Sequence, residues 1–178
     1  SAGRLQEAES IYQQILQADP NQPDALHLLG VVATQVGKTD MAIELITKAL
    51  AIKPDYLDAH INLGNAFNKL GKFNEAVESY QKALGIKPDY AEAHNNLGNA
   101  LKELGKLDEA IMSFNKALAI KPDYLDAHYN LGNALKDSGR PDEAVTSYGR
   151  ALTIKPDYVE ALNNLGNALK EMGMLEKA

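Results

Sequence analysis

The sequence predicts an all-α fold built as an array of helix-turn-helix units, and three observations carry this prediction. Similar residues recur every 34 positions along the 178-residue chain. Eleven of the thirteen glycines, five plus six, fall at only two positions of that period. Within each period, apolar side chains recur at spacings of three and four, as one face of an α-helix requires. Such a solenoid buries each unit against its neighbours and not around one centre.

The units can be placed along the chain by numbering the 34 positions of each from 1, which falls at Pro23, Leu57, Ala91, Leu125 and Val159. Leucine holds position 7, glycine holds positions 8 and 15, alanine holds position 20, a bulky apolar residue holds position 24 and proline holds position 32. The predicted organisation is a half repeat with a second helix at 3–22, full repeats at 23–56, 57–90, 91–124 and 125–158, and a partial repeat at 159–178.

Each unit is predicted to contain two helices, as the unit at 91–124 illustrates. Leu97 and Leu101 belong to the apolar face of the first helix, and Phe114 belongs to that of the second. Gly105 lies just past the first helix, where a left-handed residue is least costly as glycine, and Gly3 is predicted to act in the same way. Glycine at position 8 costs helix propensity, so we expect it to permit close packing against the alanine at position 20.

The boundary between units also has a regular sequence. Pro122 cannot continue the second helix, and Asp123 can cap the next one, with Asp126 three residues later as in a capping box. The same pairs recur in the other units, at Asp55 with Asp58, Asp89 with Glu92, and Asp157 with Glu160. We therefore expect aspartate-capped first helices.

Composition excludes several classes of function. A net charge of −6 and an isoelectric point near 5.2 argue against nucleic acid as a partner, which needs a dense basic surface. Without cysteine there are no disulfides, zinc thiolates or thiol nucleophiles. No apolar run reaches the ~20 residues that cross a bilayer. The sequence thus predicts a protein in the cytoplasm with no membrane contact.

No catalytic or metal centre is predicted, so we expect neither an enzyme nor a cofactor. His60, His94 and His128 form a column at position 4, but one histidine per repeat is too widely spaced to surround one zinc ion. We expect these side chains to pack between helices. His27 lies one position off this column and is interpreted as incidental. Glycine-rich phosphate loops and nucleophile motifs are missing from the sequence.

The polar stripe of the first helices is the candidate binding surface. Asparagine is a mediocre helix former, because its side chain competes for backbone hydrogen bonds, yet it fills positions 6 and 9 of four units. A carboxamide offers both a donor and an acceptor, which suits a peptide unit. The predicted peptide-binding residues, called the asparagine ladder below, are Asn62, Asn65, Asn96, Asn99, Asn130, Asn133, Asn164 and Asn167.

Period and pattern together resemble the tetratricopeptide repeat, although position 4 lacks the tryptophan that this family often has. The resemblance implies a right-handed α-α superhelix whose first helices line a concave groove. The Asn-Leu-Gly-Asn runs further resemble the superhelical arm of O-linked N-acetylglucosamine transferases. There, asparagines hold the backbone of an extended substrate and nearby acids bias selection. By position, the possible groove acids are Asp58, Glu92, Asp126 and Glu160.

Four interpretations of function stay open from the sequence. The leading one is a protein-protein interaction scaffold that binds an extended or disordered segment through the ladder, whereas the ladder could also be an inert solvated face. Exposed end helices could instead assemble copies head to tail, as a homo-oligomer. The chain could also be the substrate-recruiting arm of a larger glycosyltransferase. Close similarity among units leaves room for an engineered array, although irregular residues such as Gly85 and Met112 favour a natural one.

Overall fold

The architecture is entirely helical in the part of the chain that is described. A computed structural model describes residues 2–173, and every regular element in that range is an α-helix. The chain divides into two compact units, residues 1–88 and 89–178. Residues 174–178, which belong to the predicted partial repeat, lie outside the described range. None of the described helices is long and apolar enough to cross a membrane.

The first unit is a row of helices in which each packs on the next. A buried cluster of Ile46, Ala59 and Leu63 joins the second helix of one repeat to the first helix of the next. The helices of this unit are α1 (Ala2–Ala18), α2 (Pro23–Gln35), α3 (Thr39–Ile52), α4 (Leu57–Lys69) and α5 (Phe73–Ile86).

The second unit repeats this arrangement, and its largest fully buried side chains are Phe114 and Tyr148 at position 24. Alanines at positions 3, 20 and 27 of its full repeats are completely buried, which allows the helix backbones to lie close together. The helices of this unit are α6 (Ala91–Glu103), α7 (Leu107–Ile120), α8 (Leu125–Asp137), α9 (Pro141–Ile154) and α10 (Val159–Glu171).

The turn glycines confirm the prediction for position 15. Gly105 has a φ of 73°, in the left-handed region, and the other glycines at this position from Gly37 to Gly173 have φ between 68° and 81°. Gly3 differs, because it lies inside α1 and has no positive φ. The prediction that Gly3 ends a helix is therefore wrong.

The glycine at position 8 lies nearest to the large side chain at position 24, and the predicted alanine neighbour is among the nearest groups only at Gly30, where the Ala42 carbonyl oxygen lies 3.2 Å from an added Cβ. A Cβ added to Gly98 would lie 2.6 Å from the Phe114 ring, and one added to Gly132 would lie 2.5 Å from the Tyr148 ring. Each ring therefore occupies the space that any other residue at position 8 would fill. Ala110, the expected neighbour of Gly98, is fully buried but is not among the nearest groups.

The predicted aspartate caps are also wrong. At the first helices from α4 onwards the N-cap residue is a tyrosine, for example Tyr124 before α8, and its side chain makes no capping hydrogen bond. Asp123 therefore lies one residue too early to cap. The equivalent N-cap residues are Tyr56, Tyr90 and Tyr158. In α2 the N-cap is Gln22, whose side chain accepts from the Ala25 N–H.

Within each of the two compact units, residues 1–88 and 89–178, the first helices of successive repeats lie closer together than the second helices. Cα atoms of α6 and α8 approach within 8 Å, as do those of α8 and α10, whereas α7 and α9 have no such approach. The same holds in the other unit, where α2 approaches α4 and α3 does not approach α5. Each unit is therefore curved, with the first helices on its inner side.

The ring-on-glycine packing gives a stability prediction. Gly132→Ala forces the Tyr148 ring to move, so we expect it to lower the free energy of unfolding by about 1–3 kcal/mol. Gly149→Ala, in the same hairpin, meets no atom within 4 Å and should stabilise the helix by about 0.5–1 kcal/mol. Urea unfolding of both variants measures the difference. Equal stability of the two variants would contradict this account of position 8.

Candidate functional site

The asparagine ladder lies on the first helices, at the inner side of each unit. Seven of its eight side chains are half-buried and Asn167 is exposed. The candidate acids are exposed in the first turns of the same helices; they are Asp58, Glu92, Asp126 and Glu160. Asparagines that are half-buried must satisfy part of their hydrogen bonding within the protein, so the partners of each amide decide what it can offer a ligand.

Three of the four asparagines at position 6 donate to position 5 of the preceding repeat, 35 residues earlier; they are Asn62, Asn130 and Asn164. Asn130 Nδ2 donates to Asn95 Oδ1 at 3.1 Å. Asn164 Nδ2 donates to the Tyr129 hydroxyl at 3.2 Å. Each amide is thereby turned so that its nitrogen faces the preceding repeat and its oxygen faces away.

Two asparagines at position 9, Asn65 and Asn133, have the opposite orientation. The Tyr148 hydroxyl donates to Asn133 Oδ1 at 2.8 Å, and the Tyr80 hydroxyl donates to Asn65 Oδ1 at 2.7 Å. In both cases the tyrosine is the position-24 ring that packs on glycine at position 8. In the repeat of Asn99, position 24 is Phe114, which has no hydroxyl to donate.

Asn133 and Asn164 form the best-defined pair of the ladder. Asn164 Nδ2 donates to Asn133 Oδ1 at 2.9 Å as well as to Tyr129, so both of its hydrogens are used. Asn133 Oδ1 accepts from both Tyr148 and Asn164, so both of its lone pairs are used. The groups of this pair that these hydrogen bonds do not use are the N–H donors of Asn133 and the acceptor oxygen of Asn164.

The two tyrosines that bind this pair, Tyr129 and Tyr148, lie close to a third, Tyr158. The Tyr129 ring lies 5.1 Å from the Tyr158 ring and 6.1 Å from the Tyr148 ring, centroid to centroid. Burial, above all, and then the charges of nearby groups raise the pKa of Tyr158 and of Tyr148, so both hydroxyls stay protonated donors at neutral pH. The candidate acids Asp126 and Glu160 contribute to the shift at Tyr158.

Two of the position-4 histidines, His60 and His128, bind backbone carbonyls. His60 Nε2 donates to the Pro54 carbonyl at 2.7 Å and His128 Nε2 donates to the Pro122 carbonyl at 2.8 Å. Residues 2–173 contain no group of three or more His, Asp or Glu side chains placed to hold a metal ion.

His27 is not incidental, contrary to the sequence-based interpretation. It is 4% exposed, lies 3.0 Å from the Tyr56 hydroxyl through Nδ1, and lies 2.8 Å from Asn62 Nδ2 through Nε2. His27 therefore stands at position 5 before Asn62 as Asn95 does before Asn130. The 35-residue separation between positions 5 and 6 of successive repeats is the signal in the sequence that could have identified these partners.

The chain belongs to the tetratricopeptide repeat family. The family description "TPR repeat" matches residues 64–105, 98–139 and 132–173. A second description, anaphase-promoting complex, cyclosome, subunit 3, matches residues 1–83. Fold and family together define the class of protein, which is a protein-protein interaction scaffold. No curated protein sequence matches this chain.

Solved structures of similar proteins share the fold over most of the chain. MamA is 29% identical, with a TM-score of 0.83 over 89% of this chain and 93% of that one. YrrB, described as a TPR protein with an unusual peptide-binding site, is 27% identical, with a TM-score of 0.81 over 92% and 84%. A thermophilic TPR protein of Thermus thermophilus is 26% identical, with a TM-score of 0.72 over 95% and 92%.

The tyrosine contact to position 9 can be tested with a matched pair. Tyr148→Phe recreates the ring already present at Phe114, so we expect the fold to persist. Loss of the hydroxyl should cost about 0.5–1.5 kcal/mol of unfolding free energy, because Asn133 loses one partner. Phe114→Tyr should not destabilise, because the new hydroxyl faces Asn99. Urea unfolding measures both changes, and equal losses would contradict the bond to Asn133.

Proposed function

We propose that the asparagine ladder binds the backbone of an extended or disordered segment from a partner protein. The observation that carries this proposal is the opposite orientation of Asn133 and Asn164. Asn133 presents N–H donors and Asn164 presents an acceptor oxygen, and these two groups match the C=O and N–H of a peptide.

The orientations also explain why asparagine suits these positions. Aspartate at position 6 has no N–H to donate to position 5, and at position 9 it has no N–H to offer a ligand. A lysine has no acceptor at all. A carboxamide can bind a neighbouring repeat through one group and present the other to a ligand. Backbone recognition of this kind needs no particular ligand side chain, so it predicts weak sequence preference.

Two further features of the chain, and one similar protein, support a peptide ligand. The ladder is on the inner side of each curved unit, where a strand can contact successive first helices. The exposed acids at position 2 bias the surface towards segments that carry basic residues, in line with the net charge of −6. YrrB, one of the similar proteins, is described as having a peptide-binding site.

The decisive variant is Asn133→Asp. The carboxylate can still accept from Tyr148 and Asn164, but it replaces the outward N–H donors with an oxygen that repels a peptide carbonyl. We expect about tenfold or greater loss of affinity for a labelled library of short unstructured peptides, measured by fluorescence polarisation.

The control is Asn115→Asp, which makes the same charge change at an exposed residue of the second helix α7. It should leave the affinity unchanged. Equal binding by both variants and the wild type, or equal loss in both, would refute the backbone-reading role of Asn133.

Association of copies is a second candidate, favoured by exposed apolar side chains on the outermost described helices. Val159 and Leu162 on α10 are 61% and 47% exposed, and Ile11 on α1 is 48% exposed. We expect the average molar mass of the protein in solution to rise with protein concentration, and Leu162→Lys to suppress this rise. Met112→Lys changes a side chain that is 60% exposed on α7 and serves as the control. A mass that stays monomeric in sedimentation across a wide concentration range would eliminate this candidate.

A further inference from the structure

We propose that His27 is a positioning residue that makes the orientation of the Asn62 amide sensitive to pH. We call each position-6 asparagine a rung of the ladder; Asn62 is the first, and the amides of the rungs Asn130 and Asn164 keep their orientation as pH changes. The inference deepens the peptide-binding function proposed above and rests on it. It follows from two hydrogen bonds of His27, to Tyr56 and to Asn62, which couple the protonation of its ring to the orientation of the Asn62 amide.

Two hydrogen bonds link Tyr56, His27 and Asn62. Asn62 Nδ2 can only donate, so His27 Nε2, which lies 2.8 Å away, accepts from it and carries no proton. A neutral His27 therefore has its proton on Nδ1, which donates to the Tyr56 hydroxyl oxygen at 3.0 Å. Burial, and then Asp24, raise the pKa of Tyr56 to about 12, so this hydroxyl stays neutral.

Asn62 is therefore held like Asn130 and Asn164, with its nitrogen facing the preceding repeat. Its Oδ1 accepts no hydrogen bond within residues 2–173 and is not one of the buried unsatisfied atoms there. This oxygen is the group that the first rung offers to a peptide N–H. The orientation depends on Nε2 of His27 lacking a proton.

Protonation of His27 reverses the orientation of the Asn62 amide. A doubly protonated His27 has a donor at Nε2, so it can no longer accept from Asn62 Nδ2. The Asn62 amide must rotate by about half a turn so that Oδ1 accepts from His27, which presents its nitrogen to the ligand instead. Asn95 and Tyr129, which hold the other two rungs, do not change their hydrogen bonding in this way.

The surroundings of His27 keep it neutral at neutral pH. Burial lowers its pKa from the ordinary value of 6.5, and the carboxylates of Asp58 on α4 and Asp24 on α2 oppose this shift. Tyr56, in the loop between α3 and α4, is the other titratable group that faces it. Among the described residues, α1 and α3 bring no charged group that acts on it. The rotation of Asn62 is therefore expected below pH 6.5.

The lowered pKa also fixes the sign of its effect on stability. The unfolded chain binds the imidazole proton at a higher pH than the folded one, so the contribution of neutral His27 is complete above pH 6.5 and is lost as pH falls below it. Circular dichroism at each pH therefore accompanies the test, to verify that the unit stays folded.

The direct test uses the ligand-free protein and two-dimensional NMR of side-chain amides, from roughly pH 7.5 to 5.5, where imidazole ordinarily titrates. We expect the Asn62 side-chain resonances to shift with the same midpoint as the His27 ring, while those of Asn130 and Asn164 stay constant. An Asn62 amide that does not follow His27, or three rungs that shift alike, would overturn the proposal.

A second measurement uses His27→Asn, which copies the Asn95 to Asn130 pair at the first rung. Between the same pH limits, the wild type should lose about threefold to tenfold in affinity for the unstructured peptide library, and the variant should change less than about twofold. Equal pH dependence of wild type and variant would refute the role of His27. If no peptide binds while Asn62 still titrates with His27, the proposed function fails and the switch stands.

Discussion

In three full repeats a large aromatic ring packs on the first helix where that helix has a glycine and so no Cβ at the point of contact. Glycine at position 8 lets the position-24 side chain lie against the backbone of the first helix, at 2.5 to 2.6 Å from where a Cβ would be. This contact sets the spacing of the hairpin. In two repeats it also carries a tyrosine hydroxyl to the asparagine at position 9, so core packing and surface chemistry share one side chain.

The polarity of the candidate surface is set by contacts between neighbours and not by the asparagines alone. An isolated carboxamide on a helix can present either end, and it loses conformational entropy when a ligand fixes it. Here the preceding repeat holds the nitrogens of Asn62, Asn130 and Asn164, and the same repeat holds the oxygen of Asn133. The groups left over are already oriented before any ligand arrives, which reduces the cost of binding. Neighbouring repeats therefore create an ordered surface that no single repeat has.

Most of the fold follows from the period, because glycine, alanine and proline at fixed positions each have a strong backbone consequence. The turn glycines at position 15 are predictable for this reason. The N-cap residues are not predictable in this way. Asp123 and Tyr124 are adjacent candidates for the start of α8, and tertiary packing decides at which of them the helix begins. The 34-residue pattern does not identify the hydrogen-bond partners of Asn62, Asn130 and Asn164, because position 5 carries a different residue in each full repeat. A pattern of recurring residue types does not reveal a position that is defined by its geometry.

Neutron diffraction from crystals of this protein distinguishes amide nitrogen from oxygen through the bound deuterium atoms, so it reports the orientation of each asparagine amide. We expect both deuterons of Asn164 to point at Tyr129 and Asn133, and the Asn133 oxygen to face the Tyr148 hydroxyl. We also expect a neutral His27 with its deuteron on Nδ1 at neutral pH. Amides rotated the other way at Asn133 and Asn164 would contradict a surface whose donors and acceptors are fixed by neighbouring repeats.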